Sequence, residues 1–305
     1  MNKPDITAII LCGTSKEIFD KFLHSIVTTQ PIKKVELILV VPQNCDYIKY
    51  VNHKFFSTRQ FMTDSKKGID EMRTQAVREA LSEIILFLED HIILEKNLID
   101  SLLELFNQHD YACINWTVLL ANNINYITRV NYIIDYSNWG KNRKDGEIDD
   151  FLTLHNNSYR KNVLLEFDKD LELFMRSELT LQRKLLLKGH KLYFTTNCFI
   201  KHYSIPTLFD SLRAVFWFSW NSADAKQKIE SWGYHKRLFY AFAIQIKPIL
   251  RLVNFLSLPQ ENPEFSRIKI IKHGIGITLM LFAGSLGEAA AHLFGTYKSN
   301  LAQFH

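Results

Sequence analysis

The chain has 305 residues, of which 47% are hydrophobic, and a formal charge of +5 at neutral pH. This apolar content supports a globular protein with a buried core. The four cysteines, Cys12, Cys45, Cys113 and Cys198, form no Cys-x-x-Cys pair. That spacing argues against a zinc ribbon or a thioredoxin-type site and favours a reducing cytoplasm.

The whole charge excess lies in the last third of the chain. Residues 206–305 hold 11 Lys and Arg against 6 Asp and Glu, whereas residues 1–205 hold 26 of each sign. The same third is rich in Phe, Trp, Leu and Ile. Basic and apolar residues together favour a surface for anionic lipid, because a nucleic-acid surface needs denser Lys and Arg with interleaved polar contacts. We therefore expect a membrane partner and no nucleic acid.

The first two hundred residues alternate short apolar runs with amphipathic patterns, which is typical of an α/β fold with a largely parallel sheet. The first apolar run reads as a strand and not as a signal peptide, because Asp5 interrupts it. Strands are predicted at residues 6–12, 35–42, 83–88, 111–120 and 191–202. Helices are predicted at residues 15–27, 68–81, 95–108 and 177–189, the last closed by Gly189. Residues 137–151 are polar and contain glycines, so we expect a surface loop there.

After Pro206 the pattern predicts helices only. Residues 236–259 form an amphipathic helix that Pro248 kinks or restarts. This change of pattern divides the chain into an α/β domain over 1–205 and a helical region over 206–305.

Residues 273–295 are more apolar, but Glu288 and His292 interrupt them. A spanning helix needs about 20 apolar residues, so we favour a helix that lies in the membrane interface or re-enters it over one that crosses the membrane. The alternative for these C-terminal helices is packing on the α/β domain or on a second copy of the chain.

Three polar residues, Glu89, Asp90 and His91, follow the apolar strand at 83–88. Open parallel sheets bind ligands outside the carboxyl ends of their strands, so this cluster is placed where a ligand binds. Carboxylate and imidazole are suitable ligands for a divalent metal ion that bridges phosphate oxygens. The alternative interpretation is an ordinary polar turn.

Two further residues are candidates for a site. Glu178 lies in the first turn of the helix at 177–189, where the helix dipole alone also favours a carboxylate. His202 ends the strand at 191–202, where a single histidine is more often structural. Their order along the chain, rather than either residue alone, favours a function.

The order of these motifs over residues 4–202 resembles that of the inverting family 2 glycosyltransferases. "GIDEMRTQAVREALSEIILFLEDH" is similar to the family stretch that runs from a Gly through an Arg-Asn pair into an Asp-x-Asp motif. By that register Arg73 matches the family arginine, and Glu89 and His91 fall on the two Asp positions. "SELTLQRKLLLKG" is similar to the Glu-Asp-x-Asp-Leu helix and puts Glu178 on the catalytic-base position. "CFIKH" puts His202 on a histidine that ligates the metal in many of these enzymes.

The chain also departs from the family pattern. Thr74 replaces the usual Asn after the arginine, and "VVPQN" lacks the acidic residue that helps to hold the nucleotide base. Ser177 and Thr180 replace carboxylates on either side of Glu178.

The resemblance implies a GT-A fold, which is a Rossmann-like mixed α/β sheet with helices on both faces. It also implies transfer of a hexose, with inversion, from a UDP- or GDP-type nucleotide sugar. Glu178 would be the catalytic base, and His91 and His202 would hold Mn²⁺ or Mg²⁺. In the alternative that the resemblance leaves open, His91 contacts the diphosphate directly and the metal is weakly bound or dispensable. The residues implied for binding the donor are Cys12, Arg73, Glu89 and Asp90.

With the basic, apolar C-terminal region, the resemblance favours a lipid-linked or glycan acceptor of the cell envelope. We expect the protein in the cytoplasm, at the inner face of the cell membrane. The alternatives are a nucleotide-sugar-binding or scaffold protein that has lost turnover, and a nucleotidyltransferase. The second ranks low because "LCGTSKE" contains one Gly, whereas a phosphate loop is rich in Gly.

Overall fold

The computed structural model describes residues 3–51, 54–64, 67–136, 144–149, 156–257 and 266–296. The chain forms two compact units. The first is built from Met1–Leu119 and Lys144–His202, and the second mainly from Leu120–Arg143 and Tyr203–Gln303. The domain boundary between residues 205 and 206 stays a prediction. The described residues 120–136 belong to the same compact unit as the later helices.

The first unit contains, among its described residues, a mixed sheet of nine strands. They are β1 (Ile6–Leu11), β2 (Val35–Val41), β3 (Ser57–Met62), β4 (Ile84–Glu89), β5 (Ile92–Leu94), β6 (Tyr111–Leu120), β7 (Gly146–Ile148), β8 (Asn157–Arg160) and β9 (Lys191–His202). Their order is β3-β2-β1-β4-β8-β6-β9-β5, and β7 pairs with β9. This confirms the predicted mixed α/β sheet.

Strand direction changes in the middle of this sheet. The strands β1 to β4 pair in parallel, whereas β8 pairs antiparallel with β4 and β6, and β9 pairs antiparallel with β5 and β7. The expectation of a largely parallel sheet therefore holds only for β1 to β4. Apolar runs reveal that a segment is a strand, but they do not reveal its direction.

The described residues of the first unit also form helices, which contact both the parallel and the antiparallel strands. They are α1 (Lys16–Thr29), α2 (Ile69–Glu79), α3 (Leu98–Gln108), α5 (Lys161–Leu165), α6 (Leu171–Arg176) and α7 (Glu178–Leu187). The connection β1-α1-β2 moves one way across the sheet and β3-α2-β4 moves back, so right-handed crossovers place α1 and α2 on opposite faces. The burial of β1, β2 and β4 on both sides agrees with this arrangement.

Gly189 follows α7 with a φ of +84°, which confirms the predicted C-cap. The predicted loop at 137–151 is described only over residues 144–149, where Gly146–Ile148 forms β7 instead. The remainder of that loop lies outside the described residues.

Apart from Leu120, which ends β6, the described residues of the second unit form helices and the loops between them. Its helices are α4 (Tyr126–Tyr136), α8 (Leu208–Ile229), α9 (Tyr234–Ala243), α10 (Lys247–Ser257), α11 (Arg267–Lys272) and α12 (Gly274–Phe294). The predicted restart at Pro248 is confirmed, because a 3-10 turn at Ile244–Ile246 separates α9 from α10. Pro248 lies in the first turn of α10, where its missing N–H is not needed for a helical hydrogen bond.

Glycines let α12 approach its neighbours closely. A Cβ atom at Gly287 would lie 2.1 Å from the carbonyl oxygen of Phe216 on α8, and one at Gly276 would lie 2.6 Å from the Val130 side chain on α4. A Cβ at Gly274 would meet no atom within 4 Å. Two of these glycines are therefore required by packing, and Gly274 is not.

We predict that Gly287→Ala destabilises the second unit by about 1–3 kcal/mol, because the new methyl group must push the α8 backbone away. Gly274→Ala is the matched control on the same helix and should be neutral or slightly stabilising. Urea unfolding followed by circular dichroism measures both changes. Equal effects of the two substitutions would contradict the observed packing.

Candidate active site

The ends of β4 and β9 bring together Glu89, His91 and His202. Each residue offers one ligand atom, and these atoms all lie within 4.8 Å of one another. One Glu89 carboxylate oxygen lies 3.1 Å from His202 Nε2 and 3.7 Å from His91 Nε2. The three meet because β5, directly after the turn, pairs with β9 so that Ile92 lies opposite His202.

This donor set fits a divalent metal ion. One carboxylate and two imidazoles suit a borderline ion such as Mn²⁺ better than Mg²⁺, which prefers oxygen ligands. The side chains of Glu89 and His91 are 15% and 23% exposed, so the cluster is reachable from solvent. Burial disfavours the imidazolium of His91, but the carboxylates of Glu89 and Asp90 outweigh burial and raise its pKa. The same negative charges favour a bound cation.

Asn156 holds Glu89 in place. Its side-chain amide donates to the Glu89 carboxylate at 2.7 Å, and its amide oxygen accepts from the Glu89 backbone N–H at 3.1 Å. Asn156 is fully buried. The next residue, Asn157, donates to the Glu178 carboxylate at 3.0 Å. Two neighbouring asparagines thus contact two predicted site residues, Glu89 and Glu178. The sequence signal that could have identified the asparagines is the polar pair in "LHNNSYR".

Asp90 is buried and binds the loop that follows β1. One of its carboxylate oxygens accepts from the backbone N–H groups of Gly13 and Thr14, at 2.7 and 2.9 Å. The other lies 3.2 Å from His91 Nδ1. These contacts fix the loop and the orientation of the imidazole, and donor binding by Asp90 stays a prediction.

Cys12 lies in the same loop, but its side chain is fully buried. Burial, and then the nearby Asp90, raise the pKa of its thiol well above the ordinary value. The thiol is therefore neutral and faces the core. Donor binding by Cys12 stays a prediction, and the contact would have to be made by the backbone of Cys12, since its side chain is buried.

Arg73 and Glu178, 105 positions apart in the sequence, form a buried ion pair. Arg73 Nη2 lies 2.5 Å from Glu178 Oε1, and the two side chains are 1% and 5% exposed. Arg73 also donates to the Met175 carbonyl at 3.0 Å and lies over the Phe87 ring at 4.8 Å. With Asn157 on its second oxygen, Glu178 accepts hydrogen bonds at both oxygens. Its role as a base stays a prediction.

A group of aromatic and basic side chains lies beyond the ends of β1 and β2, and sequence reasoning missed it. Tyr47 donates its hydroxyl to the Thr14 carbonyl at 2.6 Å and packs edge-on against Tyr50. The ammonium groups of Lys16 and Lys49 lie 5.1 and 5.2 Å from the centre of the Tyr50 ring. The segment "QNCDYIKY" had no apolar periodicity that would have singled these residues out.

Comparisons with known proteins give no family for this chain. No family model matches it, and no curated protein matches it. Solved structures resemble it at 10–13% identity and TM-scores just below 0.5. At those values the likeness assigns neither a fold nor a function to the chain.

Three of these structures illustrate the range. GalNAc-T7, solved with UDP, GalNAc and Mn²⁺, has a TM-score of 0.49 at 13% identity; the match covers 67% of this chain and 44% of that one. TarS 1–349 from S. aureus has a TM-score of 0.48 at 13% identity, covering 96% and 93%. The mannosyltransferase PcManGT from Pyrobaculum calidifontis, in complex with GDP-Man and Mn²⁺, has a TM-score of 0.49 at 10% identity, covering 97% and 77%. The chain thus spans less than half of the GalNAc-T7 chain.

We predict that His202→Ala weakens Mn²⁺ binding at least roughly tenfold, because it removes one of three converging ligand atoms. Titration followed by electron paramagnetic resonance of free Mn²⁺ measures the affinity. His190→Ala is the matched control, since His190 Nε2 also lies 3.1 Å from a carboxylate, that of Glu166. Equal Mn²⁺ affinity of the two variants would exclude His202 as a ligand.

Proposed function

We propose that this protein transfers a sugar from a nucleotide-sugar donor to a hydroxyl acceptor, with inversion, as a family 2 glycosyltransferase of GT-A fold. The observation that carries the proposal is the convergence of Glu89, His91 and His202. They meet where β4, one of the parallel strands, ends, at the edge where α/β sheets bind ligands. A cation site at that edge suits the diphosphate of a nucleotide sugar.

Two further groups at the ends of the parallel strands support a nucleotide ligand. The Tyr50 ring offers a stacking surface, with the positive charge of Lys49 and of Lys16, which also pairs with Asp20, beside it. Asp90 holds the backbone of Gly13 and Thr14 in a fixed conformation. We propose that the donor lies along this edge, with its diphosphate at the Glu89 cluster.

In the proposed reaction the acceptor oxygen attacks the anomeric carbon while the bond to the diphosphate oxygen breaks on the opposite side. Glu178 takes the proton of the acceptor hydroxyl, and the nucleoside diphosphate leaves. Glu89, His91 and His202 would hold Mn²⁺ or Mg²⁺, which supplies positive charge against the leaving diphosphate. Asn156 keeps the Glu89 carboxylate oriented for this task.

The direct test is release of nucleoside diphosphate from a panel of UDP- and GDP-sugars, with Mn²⁺, Mg²⁺ or chelator. We expect release from at least one hexose donor, dependent on the metal and abolished by His202→Ala. Nucleotide binding without any release would instead identify the alternative, a binding or scaffold protein that has lost turnover. The absence of both nucleotide binding and nucleoside diphosphate release would contradict the proposal.

Glu178→Gln tests the base. To act as a base, Glu178 must give up the hydrogen bond that it accepts from Arg73 or from Asn157 and accept one from the acceptor hydroxyl instead. We predict that kcat falls by roughly 10²- to 10⁴-fold while nucleotide affinity is kept. The thermal unfolding of Glu178→Gln is the control for the loss of the buried ion pair. A fall in activity that matches a fall in folded protein would show that Glu178 positions Arg73 and is no base.

We further propose a lipid-linked or glycan acceptor of the cell envelope and a location at the inner face of the cell membrane. The support is the basic and apolar character of residues 206–305. An acceptor attached to a bilayer would require the enzyme to be held close to that bilayer.

A further inference from the structure

An apolar stripe runs along the outer face of α12. Its side chains are between 39% and 79% exposed, and they are Ile275, Leu279, Phe282, Leu286 and Leu293. At 100° per residue these positions fall within about 60° of the helix circumference. The stripe is therefore narrow and continuous, and no polar residue belongs to it.

The inner face of α12 combines small residues with the buried side chains of Ile277, Met280 and Leu281. Gly284 and Gly287 pack closely on α8, and Gly276 packs on α4. A helix on the surface of a water-soluble protein is apolar on its inner face and polar on the other. The helix α12 is apolar on both faces, which is typical of a helix whose outer face is also removed from water.

Two helices that contact α12 also expose apolar side chains. On α10, Ile249, Leu250 and Val253 are 54–59% exposed, and on α11, Ile268 and Ile271 are 79% and 68% exposed. Monomers in water rarely expose this many large apolar side chains on adjacent elements. We call the exposed apolar side chains of α10, α11 and α12 the apolar surface.

The charge of the same helices selects the partner. Residues 247–257 and 266–296, which include these three helices, contain one acidic side chain, Glu288, which pairs with Lys247. They contain five basic residues: Lys247, Arg251, Arg267, Lys269 and Lys272. Two copies of the chain meeting through these helices would bring like charges together, whereas an anionic bilayer complements them.

We propose that α10, α11 and α12 form a docking surface for an anionic lipid bilayer. The stripe on α12 contacts the acyl chains, and the basic side chains lie among the headgroups. Among the described residues α12 is the one helix long and apolar enough to cross a membrane, but 44% of its apolar window is buried by protein. Because its inner face is occupied by α8 and α4, the helix lies along the membrane. The inference deepens the proposed function by naming the surface that holds the enzyme at its acceptor.

Vesicle sedimentation of the full chain tests the surface. We expect binding to vesicles of phosphatidylcholine with phosphatidylglycerol, and weaker binding to phosphatidylcholine alone or at high salt. The double substitution Leu279→Glu with Leu286→Glu should lower partitioning roughly tenfold or more. The matched control is Ile124→Glu with Leu187→Glu, at side chains that are 72% and 71% exposed outside the apolar surface.

Three results would overturn the proposal. Equal partitioning of the two double variants would show that vesicle binding does not depend on the stripe. A wild-type dimer that does not bind vesicles and becomes a monomer with Leu279→Glu and Leu286→Glu would show that a second copy covers the stripe. Resistance of the membrane-bound protein to alkaline carbonate extraction would show that α12 spans the bilayer.

Parallel measurements keep these outcomes separate from folding and from the proposed function. Circular dichroism melts verify that each variant is folded. Nucleoside diphosphate binding with Mn²⁺ is measured on the same preparations, without lipid. Vesicle binding without nucleotide binding would contradict the proposed function and leave the docking surface in place. Nucleotide binding without vesicle binding would contradict the docking surface and leave the proposed function in place.

Discussion

The carboxylate of Glu89 is the group on which the candidate site depends. Asn156 binds it from the segment leading into β8, and His202 contacts it from the end of β9. These partners lie 67 and 113 positions further along the chain. Since β4 lies between the parallel strands and the antiparallel half of the sheet, this one contact joins the two halves at their functional edge. The nearby imidazole of His91 completes the candidate cation site.

Strongly patterned elements could be predicted from the sequence, because burial on a sheet leaves a local signal. The strands β1, β2 and β4 are nearly continuous apolar runs, and α2 repeats its buried residues at helical spacing. The strand β8 could not be predicted in this way. Its residues Asn157 and Ser158 are fully buried although polar, since they bond to Glu178 and to the Ile114 carbonyl. A hydrophobic pattern does not report polar groups whose partners lie far along the chain.

The candidate site could be predicted as a set of residue types, but not as a set of contacts. Resemblance alone suggested His91 and His202 as a pair, and in the structure the centres of their rings are 4.6 Å apart. The resemblance did not reveal that Arg73 pairs with Glu178 or that Asp90 binds the loop after β1. Both contacts depend on how α2, α7 and the β1 loop pack in space. They also explain why the carboxylates of Glu178 and Asp90 are buried.

The central claim is that a divalent cation and a nucleoside diphosphate share the edge of the sheet at Glu89. A crystal grown with Mn²⁺ and UDP or GDP, measured at a wavelength where manganese scatters anomalously, tests it most directly. We expect one anomalous peak within bonding distance of Glu89, His91 and His202, with diphosphate oxygens on its open side. A nucleotide bound without that peak, or a manganese peak elsewhere on the protein, would contradict it.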